Sequence, residues 1–255
     1  MALLWRSFLL QLQVIRTNPD YFLGLAIAPL SAVIFLSIVR NAGREDLVPF
    51  ALVAPVLMAL WRTSIMASGE IINEDRGLGT MEPTIASPAS YPSVVLGRIV
   101  AVSAVGLLGV PEVWFVARLV FGISITVDHP VVFVLGLVAA GFAMSGTAVV
   151  MAAVFCLGRS SRIFQQTLTY PFYVLGGILV PVSVLPFWVR PLSRLIFLSW
   201  TADLLRASLL PAPVPDVALR LAVIVGLGLA GFVGGTMLLR RVLDRVRHLG
   251  TMTYA

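Results

Sequence analysis

Between residues 69 and 98 the chain reads GEIINEDRGLGTMEPTIASPASYPSVVLGR, and Glu70, Glu74, Asp75 and Glu82 fall within thirteen positions of it. An apolar run long enough to cross a bilayer lies on either side. A charged segment punctuated by glycine and proline cannot sit in hydrocarbon, where its carboxylates and open backbone groups would find no partners. It is expected to project from a membrane, and the other segments are placed relative to it.

A mean hydropathy of +0.98 with 12% charged residues lies far from soluble domains, in which about a quarter of residues are charged. The expected fold is all-α and integral to the membrane, with most of the chain in spans and no room for a soluble catalytic domain. All 18 basic residues are arginine. Without lysine, the phosphate-binding G-x-x-x-x-G-K-[ST] loop cannot be written, so the chain is not expected to hydrolyse ATP by itself. The arginines are scattered along the span boundaries rather than gathered on one face, which suits anionic headgroups and argues against nucleic acid as a partner. Cys156 stands alone, which rules out an intrachain disulfide and makes it a buried small hydrophobe rather than a reactive thiol. Arg6 interrupts the first apolar residues and no small-residue cleavage site follows, so no signal peptide is expected.

Residues 1–20 read as an interfacial amphipathic helix. Leu4, Trp5, Phe8, Leu12 and Ile15 share one face, Arg6, Gln13, Arg16 and Thr17 lie opposite, and Asn18-Pro19-Asp20 ends it. Six apolar runs follow, at 21–39, 47–67, 93–121, 131–157, 164–181 and 217–239, each read as a transmembrane helix against the ~20 residues that a bilayer requires. The charged loop occupies 68–92. The fifth run is short, carries Pro171 and Gly176-Gly177, and stops at Pro181 and Pro186, so a single span and a re-entrant hairpin both stay open. In 182–210, Trp188, Phe197 and Trp200 mix with Arg190, Arg194, Asp203 and Arg206, as at a membrane interface. One or two helices at or dipping into the surface are expected there, a re-entrant extracellular segment before the last span. Six spans put both termini on one side. Ten arginines fall there (6, 16, 76, 98, 159, 162, 240, 241, 245 and 247) against six opposite (40, 44, 118, 190, 194 and 206), which places the termini and the 68–92 loop in the cytoplasm. The small-residue pairs Gly231/Gly235, Gly136/Ala140 and Gly141/Ser145 allow close helix approach, within one subunit or between two.

His129 and His248 are the only histidines and fall on opposite sides, so a metal cluster or histidine dyad lacks material, and Ser160-Ser161 has no base nearby. Glu112 is the one carboxylate well inside a run. It reads either as a proton- or cation-binding group in a transport path or as a structural glutamate near Arg118. Arg62, close to the cytoplasmic end of the second run, could snorkel to water. Glu70, Glu74, Asp75 and Arg76, followed by Gly77-Leu78-Gly79-Thr80, would form a short glycine-terminated helix, either a docking surface for a soluble partner or a solvated loop.

The pattern E-x-x-x-x-R-G-x-G-T-x-E-P-x-x-A-S-P, carried by Glu70 or a near neighbour, Arg76, Gly77, Gly79, Thr80, Glu82, Pro83, Ala86, Ser87 and Pro88, resembles the first cytoplasmic loop of type-2 ABC transporter permeases. A second block, from Pro171 to Arg206, resembles that family's fifth helix and the proline-marked re-entrant segment that follows it. It departs at Ser199-Trp200-Thr201, where the family often has proline before the threonine. The resemblance covers nearly the whole chain.

The resemblance implies a permease without a cofactor of its own, paired with separate ATPase subunits that bind ATP and Mg, two permeases (identical or paralogous) with two ATPases. It further implies that Glu70, Glu74, Asp75, Arg76, Gly77, Thr80 and Glu82 form the ATPase-coupling element, with the N-terminal helix beside it. The path between the two copies would be lined by Phe35, Met58, Phe172 and Tyr173. The expected function is export, across a bacterial cytoplasmic membrane, of a hydrophobic or amphipathic drug, antibiotic or natural product. A lipid-linked glycan is the alternative cargo, and an ion-coupled carrier or channel working through Glu112 is the rival mechanism. On this reading, replacing Glu74 and Asp75 with alanine uncouples transport from hydrolysis and leaves folding intact.

Overall fold

The computed structural model describes residues 2–18, 26–79, 91–157 and 161–249, and all regular structure among them is helical. The elements are α1 (Ala2–Thr17), α2 (Ile27–Asn41), α3 (Val48–Gly77), α4 (Tyr91–Gly106), α5 (Gly109–Leu119), α6 (Pro130–Leu157), α7 (Ser161–Leu175), α8 (Arg190–Arg194), α9 (Phe197–Ser208) and α10 (Val217–Leu249), with short 3-10 turns at Glu45–Leu47 and Val182–Val184. Among the described residues, four helical stretches are long and apolar enough to cross a membrane: Glu45–Asp75, Tyr91–Leu119, Pro130–Cys156 and Val217–Val242. Ile27–Asn41 is a shorter apolar helix.

The six expected runs meet these helices unevenly. The start of the first run, residues 21–25, lies outside the described residues. The fifth closes earlier than expected: α7 ends at Leu175, because Gly177 turns the chain in the left-handed region (φ +67°) that favours glycine. The second run, by contrast, extends past its expected end. α3 continues unbroken to Gly77, so Glu70 to Arg76 are its last turns rather than a separate short helix. Leu78 then donates to the Glu74 carbonyl and Gly79 takes φ +64°. The third run crosses in two pieces. Pro111 cannot donate to the Leu107 carbonyl, and the chain tightens at Leu107–Leu108 before α5 resumes.

The main core joins α2, α3, α5, α6 and α9, with Leu36, Leu57, Leu60, Val113, Met144 and Leu204 buried. A second cluster at the charged end of α3 gathers Ile15, Ile71, Ile72, Val95, Ile99, Leu239 and Val242. α9 is more deeply inserted than a surface helix. Phe197, Leu198, Thr201, Ala202, Leu204 and Leu205 are buried against α6, α3 and α10.

α10 packs on α6 along a seam of small residues. A Cβ at Gly231 would fall 2.9 Å from the Gly146 carbonyl carbon, and one at Gly235 would fall 2.7 Å from the Val150 nitrogen. Gly231 and Gly235 therefore serve packing within the subunit. Elsewhere α10 is open: only 11% of its most apolar window is covered by the chain, leaving the rest for lipid or a partner.

Candidate functional site

At the charged end of α3 the sequence concentrates carboxylates, and the fold brings a cation to them. Arg98, 6% exposed, projects from α4 and uses three nitrogens on two other helices. Its Nε donates to Gln11 Oε1 of α1 (2.7 Å), Nη1 to Asp75 Oδ1 (2.8 Å) and Nη2 to Glu74 Oε2 (3.0 Å) of α3. Tyr91 Oη donates to the other Asp75 oxygen at 3.0 Å. A buried guanidinium is tolerable only with its fork satisfied, and these contacts provide that. One residue earlier, Gly97 allows α1 to cross on contact: a Cβ there would lie 2.6 Å from the Leu4 carbonyl oxygen. α1 thus rests on α4 through Ser7, Gln11 and Ile15, while Trp5 is exposed.

Glu74 and Asp75 are therefore counter-charges to a buried cation. Their double alanine variant would loosen the fold as well as any coupling, which corrects the expectation that folding survives it. Glu70 is half-buried one turn earlier, and Gly77 ends α3. Arg76 is placed as a helical position only, and Thr80 and Glu82 lie outside the described residues. Sequence reading missed Arg98, Gln11 and Tyr91. The signal was an arginine seven residues into an otherwise apolar helix, in a chain with few acids to match it.

Of the four expected path residues, three come together. Tyr173 Oη donates to the Met58 carbonyl at 3.1 Å, and Phe172 stacks on Trp61 with ring centroids 4.5 Å apart. Phe35, on α2, packs against the same core from another side. α7 also turns a stripe outward: Gln166, Thr167, Tyr170, Pro171 and Val174 are all exposed. Pro171 on the same stripe cannot donate to the Thr167 carbonyl.

Glu112 lies in the first turn of α5 beside an open groove of about 470 Å³ formed with Pro29, Leu108, Pro111, Phe115 and Val116. Its Oε2 is buried and without a hydrogen-bond partner among the described residues. Arg118 is not its partner. Six residues along a helix turn it about 120° away around the axis, and its Nη1 donates instead to Ser124 Oγ at 2.5 Å.

A family model for the ABC-2 type transporter matches residues 1–210. The chain belongs to this family. It is the membrane permease subunit of an ABC-2 type exporter, a multi-pass membrane protein whose domain carries no ATPase site of its own, and permeases of this kind pair with a nucleotide-binding ATPase subunit. It is also similar to "Nodulation protein J" of Sinorhizobium fredii, at 28% identity over 186 residues, covering 71% of this chain and 70% of that one.

In this permease the end opposite the Arg98 cluster is held by another arginine. Arg206 Nη2 donates to the carbonyls of Gly177 (2.7 Å) and Ile178 (3.1 Å), and its guanidinium lies 3.9 Å from the Phe50 ring centroid. It thereby fastens the turn after α7 to α9 and to the start of α3. Burial lowers the Arg206 guanidinium to about 10, with nearby Asp203 opposing, so the cation persists at neutral pH. Burial likewise raises the Asp203 carboxyl.

Proposed function

We propose that this permease exports a hydrophobic or amphipathic compound, driven by two ATPase subunits bound to two permease copies. Its six crossings count α2 and α7 as spans. Both termini and the 68–92 loop face the cytoplasm of a bacterial cell, and the path runs between the copies along Phe35, Met58, Phe172 and Tyr173. Glu70, Glu74, Asp75, Arg76, Gly77, Thr80 and Glu82 form the element that receives the ATPase. The observation that carries this reading is the Arg98 cluster. A push on the end of α3 is delivered through buried, charge-assisted bonds to α1 and α4 at once, as a coupling device requires. The apolar, aromatic lining favours an amphipathic cargo over a lipid-linked glycan.

The test is co-expression with a candidate ATPase, affinity purification, and vanadate-sensitive hydrolysis in lipid nanodiscs. A stable, hydrolysing complex is expected; a chain that purifies without any ATPase would overturn the proposal. A second reading, an ion-coupled carrier, draws on the unpartnered Glu112 oxygen. It requires Glu112→Gln to abolish transport at normal expression, whereas the exporter reading expects that variant to be tolerated.

A further inference from the structure

The length of the uncharged part of α3 bears on the depth of Arg62. Residues 47–69 hold no charge besides Arg62; they rise about 34 Å, enough to fill the ~30 Å of hydrocarbon. Arg62 stands eight residues, or about 12 Å, from Glu70. Its Cα–Cβ bond tilts toward the helix N-terminus, away from that nearer end, so snorkelling toward Glu70 is opposed by the helix itself. Yet Arg62 is exposed, and no described residue pairs with it. A cation at such depth is costly in lipid and belongs in a cavity or against an anion.

α7 offers polar side chains at a similar level. α7 runs antiparallel to α3, since Arg206 links the turn after α7 to Phe50 while Tyr173 reaches Met58. Arg62 lies within electrostatic reach of Tyr173. The register sets Tyr170, 70% exposed, level with Arg62, and exposed Gln166 and Thr167 one turn further along. Within the six apolar runs a second copy of the chain offers one carboxylate, Glu112, and it faces the Pro29–Phe115 groove.

We propose that Arg62 is an anion-binding residue of the translocation path, and that the cargo is an amphipathic anion whose phosphate, sulfate or carboxylate head is received by Arg62 with Tyr170, Gln166 and Thr167 around it. This rests on the exporter reading and narrows its cargo class. The test measures binding of decyl phosphate, decanol and decyltrimethylammonium to the permease–ATPase complex in nanodiscs by calorimetry, with empty nanodiscs subtracted.

The wild type should prefer decyl phosphate. Arg62→Gln should weaken that binding roughly ten- to hundredfold, the loss of one charge-assisted contact. Arg62→Lys should fall between the two, and Arg62→Glu should shift the preference to decyltrimethylammonium. A wild type that does not favour the anion overturns the proposal even if no variant folds, as does Arg62→Gln with undiminished affinity. It also falls if Glu112→Gln reproduces the loss and Arg62→Glu combined with Glu112→Arg restores binding, since Arg62 would then serve an ion pair between copies. Failure to form any complex with an ATPase would instead strike the exporter reading; binding to the permease alone, measured in the same nanodiscs, still decides the role of Arg62.

Discussion

Two arginines on neighbouring helices are treated in opposite ways. Arg98 is buried and saturated, with two carboxylates and an amide drawn from α3 and α1. Arg62 stands in the middle of α3, exposed and without a partner among the described residues. Removing a saturated buried cation strands the anions around it, whereas removing an unpaired one strands nothing. The contrast separates a charge that holds helices together from one available to a ligand.

The largest test of the contrast is Arg98→Ala. It should cost about 3–5 kcal/mol, because Glu74, Asp75 and Gln11 lose their common partner. Thermal unfolding of the permease in nanodiscs would measure this, and an unchanged midpoint would reduce the cluster to a surface feature. Combining Arg98→Ala with Asp75→Ala should cost less than the sum of the two single changes by about 1–3 kcal/mol, the non-additivity of partners in one network. Strict additivity would mean that the pair acts independently. Gly97→Ala tests the docking of α1 rather than the charge. A Cβ against the Leu4 carbonyl should cost about 1–3 kcal/mol as overpacking and make α1 more open to limited proteolysis; an α1 cut no faster than in the wild type would contradict the contact. The smallest effect on stability is expected at Arg62→Gln, within about 0.5 kcal/mol, while transport falls. If its unfolding midpoint drops as far as that of Arg98→Ala, the contrast collapses.

Much of the architecture was legible in the sequence because hydropathy is a property of contiguous runs. The long apolar stretches, the amphipathic start, the glycine pairs and the charged interruption can all be read from residues within a few turns of one another. The Arg98 cluster could not be read this way, since its partners lie 23, 24 and 87 positions away. Reading the second run as ending at 67 puts Arg62 near its edge, whereas α3 continues to Gly77 and leaves the arginine at the middle of the helix. Tyr173 Oη meets the Met58 carbonyl across 115 positions, a contact that a single chain's periodicity does not contain.

The glycine seam between α6 and α10 has a mechanical consequence. Helices whose backbones touch cannot slip past one another: a shift of even one residue would drive a side chain into the space reserved for a missing one. α6 and α10 are therefore expected to move as one body, and among the described residues the joints that rocking could use are the tightening at Leu107–Leu108 and the turn at Gly177. The permease has a stiff side and a jointed side, and the exposed stripe of α7, just before the turn at Gly177, is on the jointed one.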